Sequence, residues 1–282
     1  MSQIHWFPGH MKKALNEIEE KIKLVDVVIE VLDARAPSSS INPEFEKRIA
    51  NKKRLLILSK SDLADPNETK KWGICLKNQC NSLLILNLTD PKSEKAISEE
   101  VKKLGEEKHA KEQARGMKPQ PIKAMIIGVP NVGKSSLINR VAKRSAAGVQ
   151  NKPGYTRGEQ YIKVNNDFVL LDTPGILPMN YEDKAHATNL ALLGSIKDEI
   201  LPSEQLVATL LSYLKVNYPN ALESRFGVID LSDPIKVSEE VAKKRGLLTS
   251  GNYDLDKANF LILKEFKDGK LGRITLEKAI WV

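Results

Sequence analysis

One glycine-bearing segment has the residue types and the spacing needed to hold a phosphate chain. Its sequence is Gly128-Val129-Pro130-Asn131-Val132-Gly133-Lys134-Ser135, which fits the pattern G-x-x-x-x-G-K-S. Glycines let successive backbone N–H groups turn toward one anion, and a following helix directs its positive end at the same point. An apolar run over residues 122–127 precedes the segment and an amphipathic stretch follows it. This context predicts a strand, a phosphate loop and a helix that bind a nucleoside triphosphate, and it disfavours a chance match in an ordinary loop.

Each residue of the loop has an expected role. Lys134 supplies a mobile positive charge for the β- and γ-phosphates, and the Ser135 hydroxyl is suited to Mg²⁺. The other expected phosphate contacts come from Pro130, Asn131, Val132, Gly133 and Ser136.

A second segment could recognise the base. The apolar run at residues 54–58 ends in Ser59-Lys60-Ser61-Asp62. A carboxylate such as that of Asp62 can accept from both N1–H and the exocyclic amine of guanine, whereas adenine offers no such pair of donors. The stem of Lys60 could lie across the base while its charge stays in solvent. The backbone N–H groups of Asn87 and Leu88, after the next apolar run, could reach the guanine O6. These residues predict a guanine site.

Two further segments could sense the γ-phosphate. Residues 144–158 are polar and glycine-bearing, and Thr156 in them could join the Mg²⁺ shell only while a γ-phosphate is present. A plain turn with a solvated threonine explains the same local sequence. Farther on, a predicted hairpin over residues 160–164 and 168–171 ends in Asp172-Thr173-Pro174-Gly175. Asp172 can hold the metal through water, and Gly175 offers an unhindered N–H to the γ-phosphate.

The elements that must position these segments alternate between strands and helices. Apolar runs predict strands at residues 25–32, 54–58, 83–86 and 122–127, and helical patterns predict helices at residues 11–25, 43–50, 68–79 and 93–114. After residue 181 the patterns are helical, at residues 188–200, 204–216, 238–245 and 255–267. We therefore expect two domains, residues 1–178 and 179–282, with a basic Gly/Pro connector at about residues 115–121 inside the first.

Composition narrows the class of protein. The chain has 282 residues, 44 Lys and Arg against 36 Asp and Glu, and a formal net charge of +8. This balance favours a polyanionic partner, RNA above all, although a merely solvated basic surface fits it too. No apolar run approaches the ~20 residues that a bilayer requires, and the N-terminus shows no export signal. We expect a cytoplasmic monomer.

The cysteines do not form a metal-binding pattern. Cys75 and Cys80 are the two cysteines of the chain. Their single C-x4-C pair lacks the second pair, or the histidines, that a zinc site requires. We expect ordinary reduced thiols on a helix.

The order of these segments is unusual, because the guanine-recognising segment precedes the phosphate loop. That order resembles the circularly permuted GTPases. Within them, four segments are similar to the bacterial ribosome biogenesis GTPase A family: Trp6-Phe7-Pro8-Gly9-His10-Met11, Asp33-Ala34-Arg35, Gly-x-Pro-Asn-x-Gly-Lys-Ser and Pro-Gly-x-Thr. The resemblance covers nearly the whole chain, firmly to about residue 178. It implies a doubly wound α/β P-loop GTPase sheet, circularly permuted, followed by a smaller helical C-terminal domain.

The resemblance also implies a function. It predicts GTP hydrolysis during assembly of the large ribosomal subunit, contacts with ribosomal RNA and ribosomal proteins, and release after hydrolysis stimulated by the particle. Related GTPases place a water-orienting Gln after the switch glycine, but this chain has Ile176, so turnover without a partner should be slow. The family implies two substitutes. Asn131 would help to ligate K⁺, and His10 would approach the attacking water, whereas the residues alone favour an anchored surface histidine at position 10.

One residue departs from the family pattern. Ser59 stands where the family usually has Asn. Serine has no amide to reach N7 of the base, or to tie the base loop (residues 60–65) to the phosphate loop. We expect guanine selectivity to survive through Asp62, with affinity lower by about one hydrogen bond, or ~1 kcal/mol.

Alternatives remain for the function. One is a nucleotide-gated RNA-binding protein in which hydrolysis is incidental, and another is a GTPase that acts on tRNA or another RNA. The C-terminal region has basic residues suited to RNA, although a partner-docking or supporting domain fits them as well. Those basic residues are Lys243, Lys244, Arg245, Lys264, Lys267, Lys270 and Arg273.

Overall fold

The computed structural model describes residues 8–142, 161–171, 173, 175–178, 183–196 and 201–279, with side chains from residue 13 onward. Its first half contains helices α1 (Pro8–Lys23), α2 (Pro37–Ser40), α3 (Pro43–Ile49), α4 (Pro66–Lys77), α5 (Lys92–Leu104), α6 (Glu106–Ala114) and α7 (Lys134–Ala142). The strands around them are β1 (Val27–Asp33), β2 (Lys53–Ser59), β3 (Ser82–Ile85), β4 (Ile122–Ile127), β5 (Tyr161–Lys163) and β6 (Phe168–Leu171).

The later part of the chain is mainly helical. It contains α8 (Lys184–Leu192), α9 (Ser203–Asn217), α10 (Glu223–Phe226), α11 (Pro234–Arg245) and α12 (Leu255–Lys267), with the small strand pair β7 (Leu248–Thr249) and β8 (Asn252–Tyr253). No helix in the described part of the chain is both long enough and apolar enough to cross a bilayer.

Within the described residues, six strands form one sheet in the order β3-β2-β1-β4-β6-β5. Neighbouring strands from β3 through β6 run parallel, and β5 joins β6 antiparallel. Strand β1 is buried along its whole length because helices cover both faces, as is usual for parallel sheets. The doubly wound sheet and the predicted hairpin are confirmed. The carboxyl ends of β1, β2 and β4 meet at one edge, where such sheets bind ligands.

The amphipathic N-terminal helix is confirmed as α1. Its residues Leu15, Ile18 and Ile22 are buried in a cluster with residues of β1, β4 and β6. Helix α1 therefore covers one face of the sheet.

The single charged helix predicted for residues 93–114 is wrong, because the structure has two helices separated at Gly105. A side chain at Gly105 would place its Cβ 2.2 Å from the Cδ1 atom of Ile122. Glycine lets the helices pass close to the start of β4, and the chain turns there.

Residues of the two predicted domains pack together in one apolar cluster. This cluster runs from the sheet through α8 and α9 to α11 and α12. After α12, residues 269–279 return to the sheet domain, where the Leu276 N–H donates to the Arg35 carbonyl at 2.7 Å. A boundary after residue 178 stays a prediction.

Candidate functional site

The phosphate loop lies between β4 and α7 at the carboxyl edge of the sheet. Gly128 has φ +147°, and a Cβ there would lie 2.5 Å from the backbone oxygen of Val31, so only glycine fits. Gly133 has φ +108° and Asn131 has φ +60°. These left-handed residues curl the backbone before α7 begins at Lys134.

Lys134 is directed back into this loop. It is 8% exposed, and its Nζ donates to the carbonyls of Gly128 at 3.0 Å and Val129 at 2.7 Å. Ser135 and Ser136 are exposed on the first turn of α7, at the positive end of the helix. The lysine charge, the helix end and the serine hydroxyls are the groups that a Mg²⁺-bound phosphate chain requires.

The middle residues of the phosphate loop differ from one another in solvent exposure. Val132 is buried, Pro130 is half-buried and Asn131 is exposed. The Asn131 Nδ2 donates to the carbonyl of Gly194, which follows α8. The phosphate loop thus contacts the helical part of the chain directly.

Ser59, at the end of β2, connects the base-recognising segment to the phosphate loop. Its buried hydroxyl has two acceptors within reach, the carbonyl of Val132 at 2.5 Å and that of Leu32 at 2.9 Å. The expectation that Ser59 cannot tie the base loop to the phosphate loop is therefore wrong. A hydroxyl suffices because β2 brings it directly beneath the loop, where a Cβ on Gly133 would lie 3.6 Å from its oxygen.

The charge of Lys60 is paired with a carboxylate, which differs from the prediction that it stays in solvent. The φ of Lys60 is +54°, and its Nζ lies 2.9 Å from Asp33 Oδ2 and 2.5 Å from the Asn131 carbonyl. The left-handed backbone turns the side chain toward the end of β1, where a buried carboxylate attracts the ammonium. The aliphatic stem of Lys60 therefore lies beside the phosphate loop. Asp62, two residues later, is exposed.

Asp33 is the centre of a buried charge network. Burial by itself would raise the pKa of its carboxyl, but the Arg35 guanidinium and the Lys60 ammonium outweigh burial and lower that pKa to about 2. Arg35 is 2% exposed and donates to both carboxylate oxygens, at 3.0 and 2.9 Å. Its third nitrogen donates to the Lys267 carbonyl at 2.9 Å, at the end of α12.

Asn87 and Leu88 lie after β3, on the same edge. The Asn87 Oδ1 accepts from the Thr89 N–H at 2.8 Å, which shapes the turn. Leu88 is buried, and its carbonyl accepts from Arg140 Nε of α7 at 3.0 Å. Both residues are near the phosphate-loop helix, as a shared nucleotide site requires.

Gly175 lies against the phosphate loop. A Cβ on it would be 2.8 Å from Lys134 Nζ and 3.0 Å from the backbone nitrogen of Pro130. The next residue, Ile176, is 2% exposed and packs in the cluster that α1 covers. Ile176 is therefore directed into the core and cannot orient water.

Some predicted residues fall outside what the structure describes. Thr156 and Asp172 lie outside the described residues altogether, and His10 is described by its backbone only, in the first turns of α1. Their roles stay predictions.

Both cysteines have free thiols. Cys75 is in α4, but Cys80 lies after the helix has ended, so the expectation of two thiols on a helix is only half right.

The basic residues of the C-terminal region are mostly exposed. Lys244, Arg245 and Arg273, however, hold backbone carbonyls of this chain. Lys244 donates to Gly227 at 2.6 Å, Arg245 donates to Arg225 at 3.0 Å, and Arg273 donates to Ser61 and Ala64.

Comparisons with known proteins agree with this geometry. Residues 123–218 match a family model described as a 50S ribosome-binding GTPase. The match begins at β4, the strand before the phosphate loop, so the base loop lies outside it, on its N-terminal side. A permuted order of the motifs requires this arrangement. The chain is 41% identical over 276 residues to ribosome biogenesis GTPase A of Bacillus cereus, covering 97% of this chain and 93% of that protein.

The chain belongs to the ribosome biogenesis GTPase A family.

Other members of the family and a solved structure extend the match. The Thermotoga maritima ribosome biogenesis GTPase A is 32% identical, with 97% of this chain and 94% of that protein covered. The crystal structure of GNP-bound YlqF from T. maritima superposes with a TM-score of 0.69 at 28% identity, covering 96% of this chain and all of that one. As a member of this family the chain is a GTPase, with GTP as substrate, GDP as product and Mg²⁺ as the usual metal ion.

Sequence reasoning missed several residues that shape the site. Asp33 and Arg35 were recognised only as part of a family segment, although a charged pair directly after a buried strand was a usable signal. The contacts of Arg140 and Arg273 with neighbouring loops had no local signal, since their partners are distant in the chain.

Proposed function

We propose that this GTPase acts in assembly of the large ribosomal subunit, binds ribosomal RNA and ribosomal proteins of the immature particle in its GTP form, and leaves after particle-stimulated hydrolysis. The names of its relatives, ribosome biogenesis GTPase A, support the ribosomal setting. The bacterial cytoplasm, where ribosomes are assembled, is the corresponding location.

One observation supports coupling between the nucleotide and the particle. Gly175, against Lys134, is followed within nine residues by α8, and Asn131 of the phosphate loop donates to Gly194 just beyond that helix. A γ-phosphate that moves Gly175 would therefore act on the C-terminal region over a short stretch of chain. The exposed lysines and arginines of that region, with the net charge of +8, suit an RNA partner.

Three site assignments belong to the same proposal. The guanine site is formed by Lys60, Asp62, Asn87 and Leu88, with Ser59 holding their segment against the phosphate loop, and the phosphate contacts come from residues 130–136, Thr156 and Gly175. Ser135, Thr156 and Asp172 would hold Mg²⁺.

Catalysis requires groups that replace the missing glutamine. Asn131 would help to ligate K⁺, and His10 would orient the attacking water when a particle is bound. Helix α1, which carries His10, packs on the same apolar cluster as Ile176. A role for His10 is thus consistent with where its helix lies.

The test is GTP turnover in K⁺ and in Na⁺ buffer, with and without purified large subunits. We expect strong stimulation by subunits, lost in His10→Ala and reduced in Na⁺. His109→Ala is the matched control, because His109 lies on α6 and its Nε2 contacts the Gln120 carbonyl at 3.0 Å, away from the phosphate loop.

Three results would contradict parts of this proposal. Subunit binding that depends on GTP, without stimulated turnover, indicates an RNA-binding switch. Stimulation retained in His10→Ala returns that histidine to an anchoring role. Stronger binding to tRNA than to subunits excludes the ribosomal assignment.

A further inference from the structure

The end of the chain returns to the segment that recognises the base. We call residues 269–279 the strap and residues 60–65 the base loop. The strap follows α12 directly, and the base loop joins β2 to α4. The two segments are separated by about 200 residues of sequence, yet they lie side by side.

Two successive residues of the strap hold three backbone carbonyls of the base loop. The Arg273 guanidinium donates through Nε to Ala64 at 2.9 Å and through an Nη to Ser61 at 2.7 Å. The backbone N–H of Ile274 donates to the Leu63 carbonyl at 3.0 Å. Asp62 lies between Ser61 and Leu63, so the backbone on both sides of the base-recognising carboxylate is fixed from the strap.

The strap itself is held firmly in place. Thr275 is buried, and its hydroxyl accepts from the Asp65 N–H at 3.0 Å. Its carbonyl accepts from the Tyr213 hydroxyl of α9 at 2.7 Å. Tyr218, just after α9, donates to Asp65 Oδ2 at 3.2 Å, and burial is the main cause that raises its pKa to about 12. Tyr213 of α9 and Tyr218 just after it therefore hold the strap against the end of the base loop.

A glycine makes this close approach possible. Gly269 has φ +74°, and a Cβ on it would lie 2.6 Å from a methyl carbon of Leu63. The strap can thus pass directly over the base loop where it leaves α12.

We propose that Arg273 is a positioning residue for guanine recognition: through the strap, the C-terminal region sets the base loop so that Asp62 faces the edge of the base. This inference rests on the guanine site of the proposed function. The fork of an arginine can hold two carbonyls at once, whereas the single ammonium of a lysine cannot do so with the same geometry. Retention of the nucleotide then depends on the strap.

The test compares guanosine and inosine diphosphates, because inosine lacks the 2-amino group that Asp62 reads. We expect Arg273→Ala to speed GDP release roughly tenfold, the size of losing one net hydrogen bond from a charged donor, and to lower the preference for GDP over IDP. Arg273→Lys should recover only part of the loss. Lys270→Ala, an exposed cation on the same strap, is the matched control and should leave both values unchanged.

The outcomes separate this inference from the site it rests on. If Asp62→Asn keeps the native preference for GDP over IDP, the guanine site is wrong and the role of Arg273 is overturned with it. If Asp62→Asn loses the preference while Arg273→Ala keeps it, only the positioning role is overturned. An equal loss of GDP and IDP affinity in Arg273→Ala, with a lower urea midpoint, also overturns it, because that result indicates general destabilisation.

Discussion

Replacing Arg35 with methionine tests whether the buried charge network holds the two halves of the chain together. The guanidinium is 2% exposed and donates to both oxygens of the Asp33 carboxylate and to the Lys267 carbonyl. It also lies 5.9 Å from the centre of the Phe266 ring. Methionine keeps most of the apolar stem and removes all of these polar contacts.

The expected cost follows from what remains buried. Removing one partner of a buried ion pair costs about 3–5 kcal/mol because the other charge is left without compensation. Asp33 keeps the Lys60 ammonium at 2.9 Å, so we expect a loss near the lower end, about 3 kcal/mol. With a urea slope of ~3 kcal/mol per molar, the midpoint of unfolding should fall by about 1 M.

Urea unfolding of four proteins measures this: the native chain, Arg35→Met, Asp33→Asn and the double variant. The double variant should lose less than the sum of the single losses, because neither buried member of the pair is left facing a missing partner, and the half-buried Lys60 ammonium keeps the Asn131 carbonyl. Arg48→Met is the matched control, because its ion pairs with Glu44 and Glu19 are partly exposed and should contribute less than ~1 kcal/mol. A loss in Arg35→Met no larger than in Arg48→Met would refute the reasoning.

Two further predictions concern the carboxylate and the switch glycine. The folded pKa of Asp33 is about 2, below its ordinary value of 3.8, so its stabilisation is fully present above about pH 4 and is lost as the pH falls toward 2. The difference in urea midpoint between the native chain and Asp33→Asn should be constant from about pH 5 to about pH 7 and should shrink below about pH 4. A difference that grows on acidification contradicts this assignment. Gly175→Ala places a Cβ 3.0 Å from the Pro130 backbone, which cannot move aside as the Lys134 side chain can, so affinity for a GTP analogue should fall roughly tenfold while that for GDP changes little. Equal losses for both nucleotides in equilibrium titration would show that Gly175 does not sense the γ-phosphate.

Local sequence determined the elements and the chemistry they carry. The spacing of Gly128 and Gly133, between an apolar run and an amphipathic one, predicted the phosphate loop because the motif is contained in one short segment. In the structure both glycines have positive φ. Helix α12 was predicted with its observed ends, Leu255 and Lys267, since the period of its apolar residues is local. The order of the motifs predicted the permuted sheet.

Only the tertiary structure decided how those pieces hold one another. The link from Ser59 to Val132, the ion pair of Lys60 with Asp33 and the contact of Arg273 with the base loop all join residues far apart in the chain. No periodicity or turn pattern encodes such pairs, because each depends on which strand end or chain terminus folding brings alongside. The sequence by itself therefore specified a phosphate loop and a base-recognising segment, and three-dimensional packing determined that the C-terminal residues support that segment.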